Sequence, residues 1–505
     1  MKNKRNLLGS EKDPTGQHKI NVSDGENHFE KLNYLRKKTK RKSIITIIIF
    51  VVLCILLSFF GKNWRFDLTP QTLMTTGEVT RGLLNRLQED VEIVVLDSRA
   101  NFAEYNSFVV PLLDDYVMQG QDHLDVRYVD IQNNPDIIRE LDPENQYQLR
   151  GGQVVVRSDK RLRVLTQEDF LQMALDPLTG EAVYNGFKAE SSLSGAIRFV
   201  SDPTIPKIYF AEGHGEKDLS DGFVELRLML NGQGYGIEKI QTLTEDIPED
   251  AAALVLLGPD FDISPVEVAK FNNYVSTGGS LFVAVDYHSG SYQNLNEVLS
   301  LFNLVLTDDR VEETTEKLIY REKMDQFLAQ VPSSRVIEQA YPNSVLTANS
   351  RAVTIGSSPA EWIGTEALVT TDDQGRLTNN AEVVGEIGVQ NVAMVAENSG
   401  VVTSPDMPSA KAIVFGGTAI LSDEILYQLG ESGLNYQLIF HSFNWLTNQV
   451  GSSNELIIPV KPVVDYNITN LERTPITVAS VVAVIVIPLI LFLVARRVAK
   501  RRLHM

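Results

Sequence analysis

The sequence predicts an α/β protein whose folded body lies between two transmembrane helices. Three observations support this prediction. Two charge-free apolar runs bracket the chain at 43–60 and 476–495. Between them, residues 91–166 alternate strand and helix patterns, and residues 208–415 contain four continuous apolar runs. Continuous apolar runs are typical of parallel strands whose sheet is covered by helices on both faces.

Both apolar runs are long enough to span a bilayer, because an 18-residue helix rises roughly 27 Å. Lys and Arg residues cluster directly before the first run and directly after the second. Positive-inside bias therefore places both chain ends in the cytoplasm and the body outside the cytoplasmic membrane. Residues 57–63 contain no A-x-A-like cleavage site, which favours an uncleaved anchor over a signal peptide. A buried core helix is the alternative for either run, and the basic flanks argue against it.

The predicted organisation follows from these runs and from composition. Residues before the first run are polar and without periodicity, which is typical of a disordered tail. The predicted parts are a basic cytoplasmic tail (1–42), a first transmembrane helix (43–60), a first extracytoplasmic domain (61–200), a second extracytoplasmic domain (201–455) with an insertion or extra layer at about 290–405, a return linker (456–475), a second transmembrane helix (476–495) and a basic cytoplasmic tail (496–505).

The formal charge of −19 is divided unevenly along the chain. Residues 61–475 hold 29 Lys and Arg against 60 Asp and Glu, whereas both tails are basic. An acidic body argues against nucleic-acid binding, which needs neutralisation of phosphates. The basic tails suit the anionic headgroups of membrane lipid. The acidic surface of the body suits solubility.

Cysteine usage excludes several chemistries. The only cysteine is Cys54, which lies inside the first apolar run. The body therefore has no disulfide, no thiol nucleophile and no cysteine metal ligand. Its stability must come from buried apolar cores, and the chain is long enough for two domains or more.

The first predicted domain opens with a helix over 78–87, because Val79, Leu83, Leu84 and Leu87 share one face. A β-α-β-α-β-β order follows, which is the order of a thioredoxin-like sandwich. No C-x-x-C is present, so a redox role is excluded. The predicted elements are strands at 91–96 and 124–129, helices at about 104–118 and 135–141, and a hairpin that pairs 153–156 with 162–165 across Asp159-Lys160.

The second predicted domain is a Rossmann-like parallel sheet. Its best-signalled helix begins at Ser264, where Pro265 fits the first turn and Glu267 completes a capping box. Gly278-Gly279 ends this helix, because glycine accepts the left-handed backbone needed there. The predicted strands are 208–211, 253–257, 281–285 and 412–415.

Polar side chains follow two of these strands. Glu212, His214 and Glu216 come after the first strand, and Asp286 and His288 follow the third. In open α/β sheets ligands bind at the carboxyl ends of strands. The five residues are thus a candidate ligand or interaction site able to hold a metal or exchange protons. The alternative is structural, with Gly213 and Gly215 forming a sharp turn and His214 satisfying backbone groups.

Other catalytic patterns are absent from the sequence. Gly416-Gly417-Thr418 follows the last strand but lacks the G-x-x-x-x-G-K-[ST] pattern of a nucleotide site. There is neither an H-E-x-x-H zinc motif nor a G-x-S-x-G nucleophile elbow. The sequence therefore predicts no catalytic residue, no metal site and no cofactor.

Four segments of the sequence together form a pattern that is more specific than any one of them. Together with the two apolar runs, the pattern extends over nearly the whole chain. The four segments are Arg65-Phe66-Asp67-Leu68-Thr69, Val129-Asp130 with Asn134-Pro135, Glu212-Gly213-His214-Gly215-Glu216, and Leu257-Gly258-Pro259 followed by Ile263-Ser264-Pro265 and Gly278-Gly279-Ser280-Leu281.

With these segments the chain resembles the GldG-type auxiliary subunits of ABC transporters. The resemblance implies a non-catalytic membrane subunit beside a type-2 ABC permease and a cytoplasmic ABC ATPase. It also implies that the second domain is similar to a glutamine-amidotransferase-like fold. True amidotransferases of that fold use a cysteine nucleophile, and the body contains none. Self-association within such a complex stays open.

Three functions remain to be distinguished. In the first, an auxiliary subunit, the segment with Arg65, Asp67 and Thr69 couples the body to the first transmembrane helix. The second is a free-standing extracytoplasmic protein that binds a ligand or glycan. The third is a hydrolase that uses the His and carboxylate residues after the strands, and it requires these side chains to converge. Partner proteins distinguish the first two.

Overall fold

The computed structural model describes residues 34, 67, 69, 71–175, 182–288, 290–357, 360–404, 407–429, 434–449, 456 and 458–463. The chain divides into two compact units. One unit is Asp67–Val464, which is the body described below. The other unit combines Met1–Phe66 with Asp465–Met505, and Tyr34 is its one described residue.

No helix within the described ranges has the length and apolar character needed to cross a bilayer. The transmembrane helices predicted at 43–60 and 476–495 lie outside the described residues, as do residues 496–505 and nearly all of the tail predicted at 1–42.

The amino-terminal part of the body, residues 71–201, is built on a small mixed sheet. Within the described residues the strand order of this sheet is β2 (Leu124–Tyr128), β1 (Val91–Val95), β3 (Val154–Arg157) and β4 (Leu162–Leu165). Strands β1 and β2 are parallel, and the pairs β1–β3 and β3–β4 are antiparallel. The elements are α1 (Glu78–Leu84), β1 (Val91–Val95), α2 (Arg99–Tyr105), α3 (Val109–Gly120), β2 (Leu124–Tyr128), α4 (Asp136–Leu141), β3 (Val154–Arg157) and β4 (Leu162–Leu165).

The predicted strands and the hairpin of this part are confirmed, but the single helix predicted over 104–118 is wrong. The structure has two helices there, α2 and α3, because Asn106 leaves helical geometry with φ −128°. Helix α1 also ends at Leu84 rather than at residue 87. Val79, predicted on its apolar face, is 38% exposed, whereas Leu84 and Leu87 are buried.

A hairpin and a long buried helix complete this part. The hairpin pairs β5 (Leu171–Leu175) with β6 (Ala182–Phe187) in antiparallel fashion. Helix α5 (Ala189–Ser201) follows, and most of its residues are buried. Its apolar residues Leu193, Ile197 and Val200 belong to the same core as the β1 strand.

The second part of the body alternates strands and helices before becoming mainly β. Its elements are β7 (Lys207–Glu212), α6 (Val224–Gly232), β8 (Gly236–Gln241), β9 (Ala251–Leu257), α7 (Pro265–Ser276), β10 (Leu281–Ala284), α8 (Gln293–Leu299), β11 (Leu304–Glu312), β12 (Ile319–Tyr320), β13 (Lys323–Val331), β14 (Tyr341–Ala348), β15 (Arg351–Ile355), β16 (Ile363–Thr370), β17 (Arg376–Asn379), β18 (Glu382–Val384), β19 (Asn391–Asn398), β20 (Ala410–Phe415), α9 (Asp423–Leu429) and α10 (Leu434–Leu446). Strand β21 (Lys461–Pro462) follows and pairs with β6.

Most of these strands belong to one large sheet with a parallel centre. Within the described residues the order is β12-β13-β16-β19-β20-β10-β9-β7-β8, and β14 pairs with β13. The four predicted strands are confirmed as β7, β9, β10 and β20, and these four strands run parallel to one another. Strand β8 lies at the edge and was not predicted, because its outward residues Glu238 and Lys239 interrupt the apolar run.

The stretch predicted as an insertion or extra layer, about 290–405, contributes to this sheet. Strand β19 pairs antiparallel with β20, and β16 and β13 continue the sheet outward. The same stretch builds a second sheet, which has the order β15-β11-β17-β18 within the described residues. Strand β13 of this extension is buried on alternate residues over 327–331 and so has no continuous apolar run, whereas β19 is buried continuously over 392–396.

The central strands are buried on both faces, as continuous apolar runs predict. Val255 and Leu257 of β9 pack in one core with residues of α6 and α10. Leu254 and Leu256 pack in a second core with residues of α7 and α8. Neighbouring residues of a strand point to opposite faces, so two cores on one strand require helices on both sides of the sheet.

Helix α7 begins after Ser264, as predicted. The Glu267 carboxylate accepts from the Ser264 backbone N–H at 2.8 Å, which is the Glu267 half of the predicted capping box. Pro265 occupies the first turn. Gly278, just beyond the helix, has φ +87°, the left-handed geometry predicted for the end of the helix.

The two parts of the body are joined by a close contact between α5 and α6. Lys188 and Glu225 form an ion pair of 3.0 Å, and each side chain is only 4% exposed. Gly195 faces the carboxyl end of α6, where an added Cβ would lie 2.4 Å from the carbonyl oxygen of Asn231. The contact therefore leaves no space for a side chain at residue 195.

Replacing Gly195 with alanine is expected to destabilise the body by about 1–3 kcal/mol, because the new methyl group meets backbone atoms that cannot rotate away. The melting temperature of the full-length protein in detergent measures this effect. Gly82→Ala is the matched control, since Gly82 is also helical but has no atom within 4 Å of its Cβ position. The control should stabilise α1 by up to about 1 kcal/mol. Equal melting temperatures for the two variants would contradict the packing argument.

Candidate functional site

The predicted ligand residues after β7 lie in a tight turn. Gly213 and Gly215 both have positive φ, +124° and +80°, which non-glycine residues rarely adopt. The carbonyl oxygen of His214 accepts from the backbone N–H groups of Asp260 and Phe261 at 2.8 and 3.0 Å. The loops that follow β7 and β9 are thus bound to each other at the carboxyl end of the sheet.

The ring of His214 lies between two carboxylates. Its Nδ1 is 2.8 Å from Glu216 Oε1, and its Nε2 is 3.1 Å from Glu267 Oε2. The second Glu267 oxygen accepts from the Thr242 hydroxyl at 2.5 Å. Ser264 donates its backbone N–H to Glu267, so one carboxylate caps α7 and binds the histidine. These side chains are buried or nearly so, and we call His214, Glu216, Glu267 and Thr242 the histidine network.

The electrostatics of the histidine network favour the imidazolium form. The hydrogen bond to Glu216 is the main cause that raises the pKa of His214 to about 9, against the opposing effect of burial. Burial also opposes the lowering of the Glu267 pKa, but hydrogen bonds from Thr242, Ser264 and His214 lower it overall. With both ring nitrogens donating, His214 has no free lone pair to bind a metal or accept a proton near neutral pH.

The other predicted ligand residues are engaged elsewhere. Asp286 accepts from the backbone N–H and hydroxyl of Thr418, and so binds the loop after β10 to the loop after β20. Glu212 forms an exposed ion pair of 2.7 Å with Lys239 on β8. Of the five predicted side chains, the structure brings only His214 and Glu216 into contact.

His288 is a neutral link in a separate chain of hydrogen bonds. Its Nδ1 accepts from the Gly290 backbone N–H at 2.9 Å, and its Nε2 lies 2.5 Å from the Tyr292 hydroxyl. Tyr292 in turn donates to the Pro259 carbonyl. Burial and then the positive charge of Arg351 lower the pKa of His288, consistent with a neutral ring.

Arg351 fixes this loop through hydrogen bonds, and no sequence pattern predicts that role. Its guanidinium is fully buried and donates to the carbonyl oxygens of Asp286, His288 and Gly290 at 2.8 to 3.0 Å. It also pairs with Asp308 at 2.9 Å. A lone arginine at the start of a strand has no sequence pattern that distinguishes it from an exposed one.

The convergence that the hydrolase hypothesis requires is therefore absent from the described part of the chain. Within that part, no group of three His, Cys, Asp or Glu side chains could hold a metal ion. Among the described histidines, His214 contacts two carboxylates, and these occupy both of its ring nitrogens. The arrangement can fix the geometry of loops, and it offers no free base.

The predicted coupling segment is partly described. Arg65 lies outside the described residues, whereas Asp67 and Thr69 form a compact turn. Asp67 accepts from the backbone N–H and hydroxyl of Thr69 and from the backbone N–H of Met74. Burial opposes the lowering of the Asp67 pKa, but these hydrogen bonds lower it overall.

The first and last described segments of the body meet at the amino terminus of α5. Lys461 of β21 donates to the carbonyl oxygens of Thr72 and Thr75 at 2.7 and 3.1 Å. Its ammonium also pairs with Glu190 Oε2 at 2.7 Å. We call this ion pair, Lys461 with Glu190, the terminal clasp.

Glu190 is central to the terminal clasp. Its second oxygen accepts from the Gly77 backbone N–H at 2.5 Å and from the Thr80 hydroxyl at 2.6 Å. Nearby, Thr76 donates its backbone N–H and hydroxyl to the buried Asp115. One buried carboxylate on α5 thus binds both segments through which the chain enters and leaves the body.

Part of this chain matches the model of a known protein family. Residues 205–309 match the family model described as ABC-type uncharacterized transport system. That match indicates an auxiliary component of an ABC-type transport system. The matched span contains the histidine network from His214 to Glu267. Comparison with curated proteins gives no match.

Solved structures that match part of this chain include the mmIFT52 N-terminal domain, which is 16% identical. The likeness covers 48% of this chain and 97% of that domain, with a TM-score of 0.36. A ThuA-like protein from Bacteroides uniformis is 15% identical, with coverage of 48% and 91% and a TM-score of 0.30.

The match and the sequence resemblance agree at the level of an auxiliary transport component. Two of the four segments that carried the resemblance lie inside residues 205–309, namely the one at 212–216 and the one that begins at Leu257. The segments at 65–69 and 129–135 lie outside it.

Proposed function

We propose that this chain is a non-catalytic, membrane-anchored auxiliary subunit of a type-2 ABC transporter of the GldG type. The apolar runs at 43–60 and 476–495 would anchor it, with both termini in the cytoplasm. The body would lie outside the cytoplasmic membrane as a thioredoxin-like domain and an amidotransferase-like domain. The observation that carries this proposal is the family match at residues 205–309.

The partners would be an ABC permease and a cytoplasmic ABC ATPase, with membrane lipid around the anchors. ATP hydrolysis by the ATPase would supply the energy, since this sequence contains no Walker motif. Both ring nitrogens of His214 are bound to carboxylates, so this ring is not free to accept a proton, which supports a role without catalysis.

The terminal clasp suggests how motion would reach the body. A permease helix that displaced either anchor would pull on Asp67 or on the segment after Lys461. Because Lys461 and Glu190 bind these segments to one point on α5, both pulls would act on the same helix. Helix α5 contacts α6 through Lys188 and Gly195, so the second part would move with it. A ligand or partner shifts such an equilibrium only if its contacts differ between the two states.

Purification of the full-length protein from its native membrane in mild detergent tests the proposal. We expect an ABC ATPase and a polytopic permease to be retained, and mass spectrometry identifies them. The protein carries an affinity tag for this purification, and the same procedure on cells with the untagged protein is the control. Recovery of the folded chain without either partner would instead favour the free-standing binding protein.

A further inference from the structure

The surface above the histidine network exposes three large apolar side chains. Leu243 follows β8, Phe261 follows β9, and Val266 lies in the first turn of α7. They are 55%, 69% and 63% exposed. We propose that these three residues, the docking patch, bind an apolar and basic segment of another protein in the transporter complex. This inference rests on the proposed function for the identity of the complex.

Hydrogen bonds of their backbones and of their sequence neighbours place the three residues around the same network. Leu243 adjoins Thr242 and Val266 adjoins Glu267, and these two neighbours share a hydrogen bond of 2.5 Å. Lys270 lies one helical turn after Val266, on the same face of α7, and its ammonium is 3.5 Å from the Leu243 carbonyl oxygen.

Phe261 is fixed to the same network. Its backbone N–H donates to the carbonyl oxygen of His214 at 3.0 Å, and the His214 ring contacts Glu267. Each apolar residue of the docking patch is therefore adjacent to, or bonded to, a member of the histidine network. A buried ionic network holds the three loops at fixed positions, which lowers the entropy cost of binding.

The charges around the docking patch define the chemistry of the partner. Glu245, Asp246 and Glu249 lie in the loop directly after Leu243, and all three are exposed. Asp246 lies 3.5 Å from the Lys270 ammonium and the exposed Asp260 lies 3.8 Å from that of Lys217, so Glu245 and Glu249 give the rim its net negative charge. An apolar centre with an acidic rim fits a segment whose apolar side chains are flanked by Lys or Arg.

The same charges argue against other occupants. A second copy of this chain would bring the same acidic loop against itself in a two-fold contact, and like charges would repel. An anionic membrane surface would be repelled for the same reason. The docking patch therefore fits a different protein, and all of its residues lie within the span 205–309 that matches the family model.

Site-specific photocrosslinking of the full-length protein in native membranes tests this inference. The probe is Phe261→p-benzoylphenylalanine, and mass spectrometry identifies the adduct peptide. We expect one dominant adduct with a different protein, at a segment with apolar and basic residues. The matched control is Trp362→p-benzoylphenylalanine, since Trp362 is an aromatic residue of similar exposure, 57%, that precedes β16. The control should not give that adduct.

Two variants sharpen the test. Val266→Asp should lower the adduct yield at least about tenfold, as expected for a residue at the centre of an interface. Neutralisation of the rim by Glu245→Gln, Asp246→Asn and Glu249→Gln should also lower it. Glu104→Gln, Asp122→Asn and Glu144→Gln make the same charge change at exposed residues of the first part and should leave the yield unchanged. The melting temperature confirms that each variant is folded.

Several outcomes would overturn the inference. They are an adduct between two copies of this chain, an adduct with lipid, an adduct with an acidic segment, no adduct, and a yield unaffected by Val266→Asp. The proposed function fails separately. If the ATPase and the permease copurify but Phe261 gives no heterologous adduct, only the docking patch is wrong. If Phe261 gives such an adduct with a protein but neither transporter component copurifies, only the proposed complex is wrong.

Discussion

Glu190→Ala is expected to lower the free energy of unfolding of the body by roughly 3 kcal/mol. The change removes the carboxylate that binds the Lys461 ammonium, the Gly77 backbone N–H and the Thr80 hydroxyl. Breaking a buried pair from one side is costly, because the remaining charge and donors stay desolvated. Thermal unfolding of the full-length protein, followed by circular dichroism, measures the loss.

A double-mutant cycle distinguishes the interaction energy of the terminal clasp from other destabilising effects of the two substitutions. Glu190→Gln and Lys461→Met should each destabilise the protein, and the double variant should lose less than the sum of the two. Glu89→Gln is the control, because it breaks the largely exposed pair with Lys160 and should cost less than about 1 kcal/mol. Strict additivity of the Glu190 and Lys461 changes would show that the two charges do not stabilise each other.

The second large effect is a decrease in stability with rising pH that depends on His214. Hydrogen bonding to Glu216 raises the pKa of His214 in the folded protein to about 9, from an ordinary value of 6.5. A raised pKa means that the folded state binds the proton more tightly than the unfolded state. The stabilisation is therefore complete below pH 6.5 and is lost as the pH rises through about 9. The loss amounts to roughly 3 kcal/mol.

His214→Gln should remove this pH dependence. The variant should be less stable than the wild type at pH 6, and the difference should shrink toward pH 10. Denaturant unfolding followed by the fluorescence of Trp445, which is buried in the second part, reports the change. His123→Gln is the control, because His123 is exposed and pairs with the exposed Asp90. If the free energy of unfolding of His214→Gln and of the wild type changed equally with pH, the proposal that His214 is protonated in the histidine network would be refuted.

The two predicted effects test different parts of the proposed mechanism, namely coupling and recognition. The terminal clasp joins the chain segments next to the anchors, and the histidine network supports the docking patch on the second part. A variant of the clasp that keeps the docking adduct, together with a variant of the patch that keeps the clasp intact, would separate coupling from recognition.

Much of the candidate site could be predicted, but the assembly of its residues could not. The strand that precedes Glu212, the sharp turn at Gly213 and Gly215, and the start of α7 all follow from local patterns. The expected convergence of His214 with Asp286 and His288 does not occur. Asp286 satisfies the backbone of Thr418, and His288 binds Tyr292. Asp286 bonds across 132 residues and His288 across four, so residue type alone does not reveal which bond forms.

The sequence by itself determined the elements whose signals are local. The apolar strands β7, β9, β10 and β20 and the start of α7 depend on neighbours within a few residues, where periodicity and capping act. Only the tertiary structure decided the long-range pairs. His214 meets Glu267 across 53 residues, and Lys461 meets Thr72 across 389. The physical reason is that a buried charged side chain pairs with a group that the packing of the sheet and α5 brings within hydrogen-bonding distance. Patterns of neighbouring residues in the sequence do not specify that distance.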